Sequence, residues 1–213
     1  MAEQSGILLS FDDYSPANWE EYFDLFDEYN VKVTFFINAE APTDFCEKAV
    51  SRGHEIGFHT ISHAKLSECT AEQFYAQAIA PIDTFREYGY ELTSFAYPYG
   101  EYSGWMNEAL LKHYETVRGG WYYQLCPKDA LQSAFVEAKP IDNYYYASIE
   151  KFQGDITQML TDASQNKGTV VSMYSHAIAD GDWCVWPERL EYIFQMAESL
   201  NLKFYTYKDL QKH

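Results

Sequence analysis

The chain has 213 residues, with 32 acidic and 15 basic side chains and a formal net charge of −17. That excess excludes general binding to nucleic-acid phosphates and disfavours anionic membrane surfaces. Apolar residues make up 47% and aromatic residues 18% of the chain, enough burial to exclude a disordered polymer, and the length suits one domain over 1–213.

Read in chain order, Gly6 to Phe11 is an apolar run expected to form a buried strand. Ser15-Pro16 then supplies a helix start, and Trp19, Tyr22, Phe23 and Phe26 recur at helical spacing, predicting a helix over 16–29. Val31 to Ile37 is the second strand, Phe45 to Ser51 a short helix capped at Thr43 or Asp44, and Gly53 to Phe58 leads into the third strand. Thr70-Ala71-Glu72-Gln73 has the form of a capping box and opens a helix continued by Phe74, Ala78, Ile82 and Phe85, which Pro81 should break. Thr93 to Tyr97 and Glu115 to Arg118 read as strands flanking a helix over Trp105 to His113, and residues 119–147 are Tyr-rich and irregular. Helix over Ile149 to Leu160, strand over Thr169 to Tyr174, helix over Pro187 to Leu200 and strand over Lys203 to Thr206 complete the chain. Such alternation implies a parallel sheet with crossover helices, and six or seven units can close into a barrel whose chemistry lies at the strands' C-terminal ends.

No apolar run reaches the roughly 18 residues of a membrane span. Met1 to Gly6 lacks a basic stretch followed by an apolar one, so no signal peptide is expected. Cys46, Cys69, Cys126 and Cys184 are widely spaced and contain no CxxC pair, which favours free thiols in a reducing, cytoplasmic setting over export with a removed signal.

Four segments that end predicted strands carry candidate chemistry. Asp12-Asp13 follows the first strand; two carboxylates this close repel unless a cation or shared proton intervenes, although a solvated turn explains the pair taken alone. His59 and His63 can reach one metal if their segment turns helically, and with one carboxylate they make a three-ligand site with open positions. Pro98 and Gly100, in Tyr97-Pro98-Tyr99-Gly100, set a turn able to aim an N–H into a pocket. His176 emerges from an apolar strand as a candidate acid or base, with a hydrogen-bonded core histidine as the alternative. His54 stands at the wrong end of its strand and reads as structural, and His113 and His213 are set aside. Asp180-Gly181-Asp182-Trp183 reads first as a solvated turn and second as a source of an acidic partner. Trp121-Tyr122-Tyr123 and Tyr144-Tyr145-Tyr146 are core candidates and sugar-stacking candidates at once.

In this order, Ser10-Phe11-Asp12-Asp13, His59-Thr60-Ile61-Ser62-His63, Ala96-Tyr97-Pro98-Tyr99 and Tyr174-Ser175-His176 resemble the motifs of the polysaccharide deacetylase family, the NodB-homology domain of carbohydrate esterase family four. The resemblance runs from about Ile7 to Leu210. It implies a distorted (β/α) barrel of about seven parallel strands and a metal-dependent hydrolase acting on an acetylated saccharide. By that resemblance Asp13, His59 and His63 would bind one divalent ion, zinc in the first instance. Asp12 would be the general base, His176 the general acid, and the Tyr99 N–H an oxyanion donor, with Pro98, Tyr174 and Trp121 at the substrate. A water activated by the ion, deprotonated by the base and followed by protonation of the leaving group is chemistry these residue types can perform.

The sequence departs from the family pattern at four places. The third-motif Arg is Ala96, and the fourth motif, DxxDW in form, is reduced to Gly119-Gly120-Trp121, so the partners orienting Asp12 are not identified. Tyr14 replaces a Gly and is expected to narrow the pocket mouth, and Tyr174 replaces a Leu of the acetyl pocket. Alternatives are a hydrolase of another small linear or cyclic amide on the same fold, and a carbohydrate-binding pseudoenzyme. A non-haem iron oxygenase would share the ligand set but requires an antiparallel barrel.

Overall fold

The first strand, β1 (Gly6–Asp13), organises the molecule. In the computed structural model, which describes residues 4–130 and 134–210, its residues alternate between two buried surroundings. Ile7, Leu9 and Phe11 join a large apolar layer under the helices, whereas Leu8 joins a second cluster with Phe36, Ala96, Val136, Val170 and Tyr205. Strand alternation then carries Ser10 and Asp12 to the same side as Leu8, the barrel interior.

The remaining strands are β2 (Thr34–Ile37), β3 (Glu55–Phe58), β4 (Ser94–Ala96), β5 (Thr116–Arg118), β6 (Leu125–Pro127), β7 (Ala134–Val136), β8 (Lys139–Pro140), β9 (Thr169–Ser175), β10 (Ala177–Ile178), β11 (Cys184–Val185) and β12 (Lys203–Tyr205). The main sheet runs β6-β9-β1-β2-β3-β4-β5-β7. One edge of β1 is filled by β9, and the other is shared by β12 below and β2 above. The chain passes from β7, paired with β5, through Glu137 and Ala138 to β8, paired with β9, so the two ends of the sheet nearly meet. The result is the mostly parallel, nearly closed barrel expected from the alternation. Only β6, antiparallel to β9, breaks the parallel pattern of the main sheet among the described residues.

Eight α-helices occupy the described residues: α1 (Pro16–Glu21), α2 (Phe23–Glu28), α3 (Asp44–Ser51), α4 (Ala71–Ala78), α5 (Pro81–Glu87), α6 (Gly104–Leu110), α7 (Ile149–Gln165) and α8 (Pro187–Ser199). The single helix expected over 16–29 is two, because Tyr22 leaves helical geometry at φ −104° and ψ 4°. The capping box at Thr70 and Gln73 forms, and Pro81 opens a new helix as expected. Within 119–147, expected to be irregular, lie β6, β7 and β8, and α7 continues past Leu160 to Gln165. All four cysteines are free, with Cys46 and Cys126 buried. No helix of the described residues is long and apolar enough to cross a membrane. His213 lies outside the described residues.

Candidate active site

The ends of β1, β3, β4, β5 and β9 surround a cavity of about 510 Å³ lined by Asp12, Asp13, His59, His63, Tyr99, Arg118, Trp121, Tyr174 and His176. Of the residues to which the resemblance gives a catalytic, metal-binding or substrate-binding part, Pro98 alone is absent from the lining; it is buried and shapes the turn beneath Tyr99. Tyr14 also stays out: its hydroxyl meets Thr43 Oγ1 at 2.5 Å and its ring packs on Trp19 and Phe45, so it does not narrow the mouth. Tyr145 and Trp183 do line the cavity, whereas Tyr146 is core and Tyr122 and Tyr123 are outside the lining.

Asp13, His59 and His63 converge, with one ligand atom of each within 4.8 Å of the others. Asp13 Oδ1 stands 3.6 Å from His59 Nε2 and 3.3 Å from His63 Nε2, and has no hydrogen-bond partner among the described residues. Ligand atoms about 2.1 Å from a tetrahedral ion stand about 3.4 Å apart, so the spacing fits a divalent cation. His59 Nδ1 meets the Ala96 carbonyl at 2.8 Å, which turns Nε2 inward. Burial pushes the His59 imidazole down to about 3, the neutral state a ligand needs. The segment does not turn helically. Thr60 (φ 67°) and His63 (φ 54°) are left-handed, and the Ala64 N–H donates to Thr60 Oγ1, which brings the second histidine back. Asp13 (φ 73°), Tyr99 (φ 60°) and Trp121 (φ 96°) are left-handed too, so uncommon backbone collects around this cavity.

Asp12 is buried and forms an ion pair with Arg118, whose Nη2 donates to Oδ2. Arg118 is the partner that Ala96 does not provide, and the two are opposite each other in register on adjacent strands. Its guanidinium lies between the rings of Tyr174 (4.4 Å) and Phe36 (5.1 Å), and Nη1 donates to the Gly119 carbonyl. Asp12 Oδ1 is left without a hydrogen-bond partner. Burial raises the Asp12 carboxyl above its ordinary range, while the Arg118 charge opposes that rise.

His176 Nδ1 meets Asp142 Oδ2 at 3.1 Å, and the other oxygen of that fully buried carboxylate accepts from Ser175 Oγ (2.5 Å) and the His176 N–H (3.3 Å). Burial depresses the imidazole, but the hydrogen bond and negative charge of Asp142, with Asp12 and Asp13 beyond, lift it to about 9. The acidic partner is therefore Asp142, not Asp180 or Asp182, which are exposed. The backbone behind His176 is held by α1: Trp19 Nε1 donates to the His176 carbonyl at 2.7 Å, and the Asn18 amide makes both a donated and an accepted bond with the Ile178 backbone. His54 packs against Phe23 and accepts the Val33 N–H, a structural role, and burial holds it down at about 4.

Arg118, Asp142, Asn18 and Trp19 were not found by motif spacing. For Arg118 a signal existed: it ends a predicted strand beside Ala96. Asp142 lies just past a two-residue strand, too short to carry a period.

The sequence profile of the family described as polysaccharide deacetylase matches residues 2–116. A peptidoglycan-N-acetylglucosamine deacetylase of Bacillus cereus is 26% identical over 132 residues, 58% of this chain and 59% of that protein. A peptidoglycan deacetylase of Helicobacter pylori is 31% identical over 93 residues, 42% of this chain and 32% of that one. The matched stretch thus spans between a third and three fifths of these relatives. Among solved structures, the chitin deacetylase of Colletotrichum lindemuthianum superposes with a TM-score of 0.69 at 14% identity, covering 98% of this chain and 88% of that one. An acetyl xylan esterase of Clostridium thermocellum, solved with a cobalt ion, gives 0.63 at 20% identity, covering 96% and 89%. These two likenesses are of fold. The profile match covers more than half of the sequence, and the chain belongs to the polysaccharide deacetylase family.

Proposed function

We propose that the chain is a metal-dependent hydrolase that removes acetyl groups from a carbohydrate. The observation that carries this reading is a carboxylate and an imidazole facing one cavity, each anchored by a buried partner of opposite charge. Asp12 is an anchored carboxylate with one unpartnered oxygen, and His176 is an imidazole held protonated by Asp142. A binding module has no use for a base and an acid aimed into the same space.

Asp13, His59 and His63 would hold the ion, with zinc the first choice for two imidazoles and a carboxylate. Such an ion supplies Lewis acidity to the acyl oxygen and to the attacking water. The chain's own residues do the rest. Arg118 fixes Asp12 through Oδ2, so that Oδ1 takes the proton of the attacking water. The Tyr99 N–H, presented by its left-handed turn, is the donor we assign to the developing oxyanion. His176, kept charged by Asp142, gives its Nε2 proton to the departing amine or alkoxide.

The test is acetate release from chito-oligosaccharides, acetylated xylan and peptidoglycan fragments, with zinc, with cobalt and with a chelator. Release from at least one substrate, lost on chelation and restored by metal, is expected. No release from any of them would overturn the reading.

A further inference from the structure

Arg189 stands in the first turn of α8, where the helix dipole opposes a cation, and is only 1% exposed. No carboxylate pairs with it among the described residues, and its Nε has no hydrogen-bond partner there. The ring centroids of Trp186, Phe152 and Tyr146 lie 4.3, 4.9 and 5.7 Å from its guanidinium carbon and offset part of its desolvation. An apolar side chain of similar length would fill this space with little loss, and often a gain, of stability. A buried cation without a counter-ion breaks the rules of a stable core, and such breaks collect where a residue serves the site.

The guanidinium orients Asn143. Nη1 donates to Asn143 Oδ1 at 2.9 Å, which turns the amide so that Nδ2 donates to the Gly181 carbonyl at 2.9 Å. Nη2 reaches the Tyr146 carbonyl at 3.5 Å. Asn143 directly follows Asp142, whose carboxylate accepts from the His176 backbone N–H and meets its Nδ1. Gly181 lies between β10 and β11 in the segment that follows His176, and β11 leads through Trp186 into α8 and so to Arg189. The path from His176 through β10, β11 and α8 to Asn143, Asp142 and back is a closed ring. The Arg189–Asn143 bond closes it at one join and the Asp142–His176 pair at the other. A backbone bond from the Tyr144 N–H to the Asp182 carbonyl, at 2.9 Å, braces the same loops without Arg189.

We propose that Arg189 is a positioning residue for the acid: by holding Asn143 it fixes Asp142 against His176, and so acts on protonation of the leaving group. This rests on the reading of His176 as that acid. Neither Arg189 nor Asn143 lines the cavity, so the effect is transmitted through Asp142.

The experiment compares the zinc-loaded parent with Arg189→Met, Arg189→Lys and Asn143→Ala on two substrates. The acetylated saccharide that the parent turns over best loses an amine or alkoxide that must be protonated as it departs, whereas para-nitrophenyl acetate loses a phenolate that need not be. In Arg189→Met and Asn143→Ala, kcat on the saccharide should fall about 10–100-fold with KM changed by less than about threefold. Hydrolysis of the nitrophenyl ester should drop by no more than about threefold. The urea midpoint of Arg189→Met should equal or exceed the parent's. Arg189→Lys keeps a donor for Asn143 Oδ1 and should recover part of the saccharide rate, and the double variant of Arg189→Met with Asn143→Ala should be no slower than the slower single one. A readout without substrate is the His176 Nδ1–H signal in isotope-labelled protein by magnetic resonance, which should be lost to solvent exchange in Arg189→Met. Equal loss on both substrates, an unchanged saccharide rate, or an unchanged Nδ1–H signal overturns the proposal. A parent that releases no acetate sinks the deacetylase reading, and the Nδ1–H signal then decides alone whether Arg189 holds the pair.

Discussion

Replacing Arg118 with Met removes the ion-pair partner of the buried Asp12, while keeping much of the side-chain volume between Phe36 and Tyr174. Breaking one side of a buried ion pair costs about 3–5 kcal/mol. Here the cost has a ceiling, because Asp12 can escape by taking up a proton. Holding a carboxyl with an ordinary value of 3.8 protonated at pH 7 costs about 4 kcal/mol. The expected loss in the metal-free chain is therefore about 2–4 kcal/mol at pH 7. The sign with pH follows from linkage. A folded-state Asp whose pKa is raised binds protons that the unfolded chain releases, so stability falls as pH rises above the unfolded value. Arg118→Met should thus match the parent in urea midpoint near about pH 4 and fall progressively behind toward about pH 7. Acetate release should drop by about 10²–10⁴-fold, because a protonated Asp12 accepts nothing. The double variant Ala96→Arg with Arg118→Met moves the guanidinium to the register partner and should recover part of both losses. A stability deficit independent of pH, or a full rate in Arg118→Met, would refute the assignment of Arg118 as the group that holds Asp12 ionised and oriented.

His59→Ala should lose most of its bound metal by elemental analysis while the fold persists by circular dichroism; stoichiometric retention would reject the ligand set. Asp142→Asn removes the hydrogen-bonded charge that lifts His176 to about 9. Because the acid must be protonated to work, the alkaline limb of the pH–rate profile should move down by about 1–2 units, and an unmoved limb would reject His176 as the acid. The same pairing contributes to stability fully below about 6.5 and loses that contribution as pH rises through about 9, so urea midpoints of parent and Asp142→Asn should converge in alkali. Gly57→Ala would place a methyl 2.5 Å from the Phe36 ring that supports Arg118, and should cost about 1–3 kcal/mol by urea unfolding.

The strands that end at the site were legible because long apolar runs such as Gly6 to Phe11 and Thr169 to Tyr174 announce themselves, and their exits carry the polar residues. Arg118 was legible only as the last residue of a predicted strand. What assigns it is parity: Leu8, Phe36, Ala96, Val136 and Val170 share one interior cluster, and a side chain joins the site only if it has their phase. Parity needs register, which pairing partners set and composition does not. Asp142 was hidden for another reason. The strands at residues 134–136 and 139–140 are too short to show a period, and their order comes from neighbours distant in sequence. The break at Tyr22 carries no Pro or Gly signal, and tertiary packing of Trp19 and Phe23 outweighs the local helical pattern.

The bond from Asn18 to Ile178 and the lodging of the first strand between the ninth and twelfth join the two extremes of the chain. Synthesis delivers Asp12, Asp13, His59 and His63 first, and Asp142 and His176 follow them in the chain. Until then the first strand has an unfilled edge and the cavity lacks the wall that His176 and Tyr174 supply. Loop closure over such separations is slow, so folding should be limited by docking of the C-terminal strands. Convergence of Asp12 and His176 on one cavity and completion of the barrel then become one event.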